Sequence, residues 1–546
     1  MVEKHANKGV VAAAEPLAAK VGAEILDQGG NAIDAAVAVG FALAVTYPAA
    51  GNLGGGGFLV GSIGRDSGTR GEVSLDFREK APAASTADMY TRAAEAGNKQ
   101  ASLLGHLASG VPGSVSGLLT ALERWGSLPR KKVIEPALAL ARDGFAMTTR
   151  THRMLSGSST TRAMCRFEAT ADIFYPAGSA FPAGENFVQL DLSRTLESII
   201  DKGISGFYDG EVADHIVVEM KRGGGLISAQ DLRDYRSIER KPIRFSTLNG
   251  SAISMPPPSS GGICLAQMYR MLSHFSLDKT DAKSPKLYHL LAEVMRRSFA
   301  DRNQYLGDPD FVDCQMELLE KLERLDKRAA SIKPRKASAS ADFLENLPTP
   351  KESEQTTHYS VVDQHGNAVS VTTTLNGSFG SKVVVPGAGF LLNNEMDDFT
   401  AHPGKPNLFG LIQGPANAVS PGKRPLSSMS PTVQLNKKGQ VSAVLGTPGG
   451  PTIITNVFQV MIALDRLDHS PENSVSTPKI HHQCLPDFLY LESSIPNATQ
   501  ETLRTFGHQI GKRGTIGDFQ LIARADKRGW VGVSDARGGG GVSYTK

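Results

Sequence analysis

The feature that most constrains this chain is the change of character at Thr356. Residues 327–355, KRAASIKPRKASASADFLENLPTPKESEQ, carry Lys, Ala, Ser, Pro and Glu with few large apolar side chains. That is the composition of an exposed linker. From Thr356 the pattern becomes THYSVVD, QHGN, AVSVTTTL. Two β-branched runs around a Gly-containing turn read as a β-hairpin. With Gln364–Asn367 as the turn, Thr356 pairs near Leu375, within one register step. Thr374 and Asn376 then lie beside it. A Thr hydroxyl is a weak nucleophile, but an N-terminal Thr carries a base in its own α-amine. A cut between Gln355 and Thr356 would create that arrangement. The Thr-rich strand also has an ordinary reading, because β-branched residues favour sheets.

Before this junction the chain is helix-rich, and after it strand-rich. Residues 10–26 predict a strand running into an Ala-rich helix, and 29–31 break it and cap a second helix ending near Tyr47. A Gly-rich loop follows, GNLGGGGF (51–58), then two strands at 57–63 and 71–77 that end in DFREKAP (76–82). GHLASGVPGSVSGLLTALERWG (105–126) reads as a loop entering a helix. PPPSSGG (256–262) reads as a rigid turn with a Ser/Gly helix cap, and 285–305 as a helix. Further strands are expected at 389–394, 432–436 and 441–446.

Several function classes are excluded. The 546 residues, 40% hydrophobic and 21% charged, are those of an ordinary globular protein. The formal charge of +3 is too small to suggest a nucleic-acid or membrane-surface binder. Four Cys, far apart, form neither a disulfide framework nor a zinc motif. The longest apolar run, Ala32–Val45, is too short to span a bilayer and contains Asp34; a buried helix of small residues is expected. The N-terminus lacks the regions of a signal peptide, which leaves a cytosolic protein or one whose leader preceded this numbering. GNLGGGGF lacks the Lys-Ser/Thr of a phosphate loop, and GSVSG (113–117) has no central Ser. Adjacent His481 and His482 point to opposite faces of a strand and read as structural.

Beyond these readings, the sequence resembles the γ-glutamyltransferase (γ-glutamyltranspeptidase) family of N-terminal nucleophile hydrolases. The resemblance rests on GGNAIDAAVAVGFALAVTYPAAGNLGGGGF (29–58), DFREKAP (76–82), GHLASGVPGS (105–114), PPPSSGG (256–262), TTHYSVVD (356–363), LLNNEMDDF (391–399), KRPLSSMSPT (423–432) and GTPGG (446–450), in the family's order. It implies an α+β fold, a four-layer αββα sandwich. A precursor would cut itself between Gln355 and Thr356 into a large subunit (1–355, with the linker at about 327–355) and a small one (356–546). The two would stay together as a heterodimer in one catalytic unit.

The resemblance also assigns roles. Thr356 would be the autoproteolytic residue and the nucleophile, tuned by Thr374. The donor would be a γ-glutamyl compound such as glutathione, and the acceptor water, an amino acid or a dipeptide. Arg78 offers a planar donor fork to the α-carboxylate, with hydroxyls from Ser427 and Ser428. Asp398 would hold the α-ammonium, helped by Glu395 and Asn376. Gly449 and Gly450 would aim N–H groups at the oxyanion. Each residue alone has a bland alternative: Asp397 could be the binder, Arg78 a structural ion pair, the Gly pair a turn.

Residues 400–414 resemble the family's lid. It carries Phe409 where some members have Tyr, which implies a looser gate because Phe has no hydroxyl for Asn376. Family resemblance implies a periplasmic, extracellular or cell-surface location, and no metal or organic cofactor. Two other functions compete: an acylase for a β-lactam side chain or poly-γ-glutamate, and an unprocessed non-catalytic paralogue.

Overall fold

The computed structural model describes residues 9–64, 70–278, 281–343, 356–400, 415–525 and 529–546. Gln355, Phe409 with lid residues 401–414, and the last part of the linker lie outside them.

Strand periodicity builds the centre. One seven-stranded sheet runs in the order Gly541–Tyr544, Val10–Ala13, Thr357–Val362, Ala368–Thr374, Gly56–Gly64, Arg70–Phe77, Ile238–Glu239. Every neighbouring pair is antiparallel. Strands from both sides of the 355–356 junction therefore interleave, with the Thr356 hairpin in the middle. A second sheet, also antiparallel, is ordered Gly529–Ser534, Gln520–Ala525, Val441–Gly446, Thr432–Asn436, Gly250–Ser254, Ile243–Thr247.

Alternate side chains of the first sheet enter different cores, as a period of two requires. Val11, Ala13, Leu59 and Val361 pack on helices including Pro16–Asp27 and Ala32–Thr46. Val10, Ala12, Phe58 and Val362 pack with the second sheet and the helices Gly261–Leu272, Pro285–Tyr305 and Thr452–Asp465. Helix, sheet, sheet, helix is the expected αββα order. No described helix is long and apolar enough to cross a membrane.

The apolar run is a helix buried on every side. Asp34 is tolerated there because it closes a capping box with Asn31 and accepts from Ser127 N, Ser127 Oγ and Leu128 N.

The hairpin register falls within the expected step: Thr357 pairs with Thr373, which carries Thr356 opposite Thr374, next to Leu375. Three local expectations need correction. Residues 389–394 are not a strand. Their backbone is divided among different partners, Leu392 N bonding Val383 O, Asn393 N bonding Gly54 O and Asn394 N bonding Leu375 O. Ser260 makes no side-chain cap; Ser259 Oγ accepts from Gly261 N instead. The linker is not exposed throughout. Its start belongs to the helix Leu322–Ala330, and Ala329, Ile332 and Ser340 are buried.

Candidate active site

The hairpin delivers Thr356 to one end of the central strands, where it lines a cleft and is 5% exposed. On the same strand face, His358 and Ser360 point between the sheets. His358 meets Thr372 Oγ1 at 2.8 Å and Ser360 Oγ at 3.1 Å. Burial without a charged partner pulls the His358 pKa down to about 3, so it is a neutral wedge.

Thr374 is fixed from two sides. Its Oγ1 accepts from Asn376 N at 2.7 Å, and its carbonyl accepts from Asn52 Nδ2 at 2.9 Å. Asn52 belongs to the Gly-rich loop, which has to run against the hairpin backbone. A Cβ on Gly55 would lie 2.1 Å from Thr374 O, so no side chain fits.

Arg78 leaves the end of Arg70–Phe77 with its guanidinium buried. It donates through Nε to Pro425 O (3.2 Å), through Nη2 to Asp398 (2.5 Å) and through Nη1 to Glu395. Glu79 stands 3.5 Å from Nη1. Three carboxylates thus crowd one cation. Desolvation first, then like-charge repulsion, pushes Glu79 up to about 7 and Glu395 well above the carboxylate range, against the pull of Arg78. Glu395 Oε2 and Asn376 Oδ1 are buried without a hydrogen-bond partner. Asn376 is held at φ 72°, its Nδ2 donating to Asn394 O. Asp397 turns away from the cleft and accepts from Ser102 Oγ at 2.7 Å. That settles which of the two Asp residues faces the cavity.

The opposite wall is the GTPGG turn and the start of the helix Thr452–Asp465. Gly449 has φ 136° and Gly450 φ 55°. A Cβ on Gly449 would fall 2.4 Å from Thr452 Oγ1. Their carbonyls accept from Thr452 N and Ile453 N, and neither N–H donates to any other described residue. Paired N–H groups at a helix N-terminus suit a developing oxyanion.

Of the nominated residues, Thr356, Thr374, Asn376, Arg78, Glu395, Asp398, Ser427, Ser428 and Gly450 all line this cleft. Gly449 adjoins it. Sequence reasoning missed Glu79 and Arg302. The signal for Arg302 was available: the helix Pro285–Tyr305 is buried from Leu287 to Asn303, so each charge on it needs a task. His481 and His482 are structural, bonded to Thr455 and Asp487. The one His/Glu group with metal-like spacing among the described residues is His289, Glu293 and His508. Its Glu293 is already held by Arg297 and Ser338.

A family model described as gamma-glutamyltranspeptidase matches residues 18–545. The chain belongs to the gamma-glutamyltranspeptidase family. Its relatives include the glutathione hydrolase proenzyme of Escherichia coli, 42% identical over 98% of this chain and 91% of that one. Among solved structures, the Helicobacter pylori gamma-glutamyltranspeptidase is 39% identical, with TM-score 0.57 over 60% of this chain and 93% of that one. A Bacillus halodurans cephalosporin acylase has TM-score 0.85 and 26% identity over 99% of this chain and 96% of that one. The N-terminal nucleophile hydrolase sandwich expected for this transpeptidase family is thereby established.

Proposed function

We propose that this protein is a self-maturing γ-glutamyltransferase and glutathione hydrolase in which Thr356 is the nucleophile. The observation that carries the reading is chemical complementarity. Beside Thr356, the orphaned acceptors Glu395 Oε2 and Asn376 Oδ1 stand with Asp398, where an α-ammonium would satisfy them. Ser427 and Ser428 supply hydroxyl donors for the α-carboxylate, with the Arg78 guanidinium in the same wall.

Cleavage between Gln355 and Thr356 frees the α-amine of Thr356. That amine takes the Oγ proton as Oγ attacks the γ-carbonyl. The oxyanion is met by the Gly449 and Gly450 N–H groups. The C–N bond breaks, the leaving amine takes the proton, and a γ-glutamyl ester remains on Thr356. Water or the amine of an amino acid or dipeptide then attacks the ester. Residues 1–355 and 356–546 remain one unit because both contribute strands to the central sheet, Val10–Ala13 lying between Gly541–Tyr544 and Thr357–Val362. Location in the periplasm, outside the cell or at its surface is an expectation carried by family membership.

The test incubates the matured protein with glutathione, with and without a dipeptide acceptor, and follows products by mass spectrometry. Glutamate alone, and γ-glutamyl dipeptide when the acceptor is present, are expected. Cleavage of a β-lactam side chain with no action on glutathione would contradict the reading.

A further inference from the structure

The cleft contains a second guanidinium whose surroundings are the reverse of those of Arg78. Arg302 lies on the helix Pro285–Tyr305, is 1% exposed and lines the cavity. Its Nε donates to Ser260 Oγ at 3.0 Å, Nη1 to Asn303 Oδ1 at 3.2 Å and Nη2 to Ser428 Oγ at 3.0 Å. Its guanidinium carbon is 5.9 Å from the centre of the Phe299 ring. Every one of these acceptors is neutral. Among the described residues no carboxylate is in salt-bridge contact with it. Burial pulls its pKa down to about 10 against a weaker opposing effect of Cys264 and Asp398, whereas the carboxylates in contact with Arg78 push that residue up. A guanidinium stays charged at either value.

Burying an unpaired cation is expensive, and the expense is recovered when an anion arrives. Arg78 is poorly placed to be that anion's main attraction. Three of its nitrogens are already committed, and Glu79, Glu395 and Asp398 outnumber its charge. Arg302 has charge to spare and an outlet for it. Ser260 Oγ passes its own proton to Ser427 O at 2.7 Å. Ser428 Oγ only accepts, from Arg302, and its O–H has no acceptor among the described residues. A hydroxyl whose oxygen faces a guanidinium must turn its proton elsewhere, and Ser428 lines the cleft.

We propose that Arg302 is a positioning residue for the donor's α-carboxylate: it polarises Ser428, fixes the direction of its O–H, and supplies the net positive charge that Arg78 cannot. It joins PPPSSGG and PLSSM into one anion-facing wall. This assignment rests on the γ-glutamyl reading of the cleft.

The test compares two donors in the matured protein, a γ-glutamyl anilide and the same anilide with its α-carboxylate converted to an α-carboxamide. The variants are Arg302→Gln and Arg302→Lys. Arg302→Gln is expected to raise KM about 30-fold for the carboxylate donor, the scale of a charge-assisted hydrogen bond, and the amide donor's KM by less than about threefold. Arg302→Lys keeps charge but not the fork, so a smaller rise with the same selectivity is expected. A double-mutant cycle with Ser428→Ala should be strongly non-additive.

Equal losses on both donors, or a fall in kcat with KM unchanged, would overturn the proposal and leave Arg302 a packing residue. If Arg302→Gln fails to mature, Arg302→Lys decides by the same criterion: a selective KM rise supports the proposal, and an unselective change or none overturns it. A parent protein that does not distinguish the two donors would sink the γ-glutamyl reading itself, which is a separate failure.

Discussion

Two fully buried clusters of Glu and Arg have opposite electrostatics. On the helix Pro285–Tyr305, Glu293 faces Arg297 Nη1 at 2.7 Å and Arg296 Nε at 3.4 Å, and accepts from Ser338 N and Oγ. Burial works against its charge, but these partners win, and its pKa is lowered to about 2. At the cleft wall, Glu395 and Asp398 share one guanidinium with Glu79, which lies behind it, and burial wins: Glu79 rises to about 7. With Asp487 paired to Arg296, the first cluster is balanced, and it ties residues 331–340 to the body. The second is over-supplied with acceptors and incomplete without a ligand. Residue types are the same; the ratio of charges separates scaffold from site.

The largest effect should come from breaking the cleft cluster at its cation. Arg78→Met leaves three carboxylates facing each other, and donor kcat/KM should fall by about 10³ or more, given the few kcal/mol that stripping a buried charge partner costs. Steady-state kinetics on matured protein checks this; a loss under tenfold would mean that Arg78 is a bystander. The scaffold cluster should respond in stability instead. Glu293→Gln should destabilise by about 3–5 kcal/mol in urea unfolding while kcat per folded molecule stays put. Glu79→Gln should change stability by less than about 1 kcal/mol, because the amide resembles the half-protonated acid it replaces.

The pH responses should also run at different places. Glu293 is depressed from 4.5 to about 2, so its contribution is complete above pH 4.5 and lost as pH falls from there towards 2. At 1.36 kcal/mol per unit this is about 3 kcal/mol. The cleft pair is raised instead. Protonation removes charge beside the α-ammonium's place, so competitive inhibition by glutamate should weaken as pH drops through about 7, where Glu79 titrates. Glu79→Gln removes that titrating group, so the limb near 7 should be lost. A limb that persists in the variant would detach Glu79 from the site.

Much of this was legible in the sequence because local pattern and global fold agree. The turn at Gln364–Asn367 and the β-branched runs gave the hairpin and hence the company of Thr356, to within one register step. Strands 432–436 and 441–446 and the helix 285–305 stand where the local sequence puts them. What escaped depends on long-range partners. Residues 389–394 have strand composition, but their bonds divide among Gly54, Leu375 and Val383. Ser338 and Ser340 look like linker serines until Glu293 and Asp487 engage their N–H groups. Arg302 and Glu79 acquire meaning only from the charges that tertiary packing brings beside them.

The central claim is that Thr356 is an N-terminal nucleophile generated by the chain itself. Intact mass of the purified protein after incubation, alongside Thr356→Ala, tests it most directly. The account predicts two fragments parting between Gln355 and Thr356, absent in the variant, with activity rising in step with cleavage. A single uncut chain that still hydrolyses glutathione, or cleavage that persists in Thr356→Ala, would contradict it.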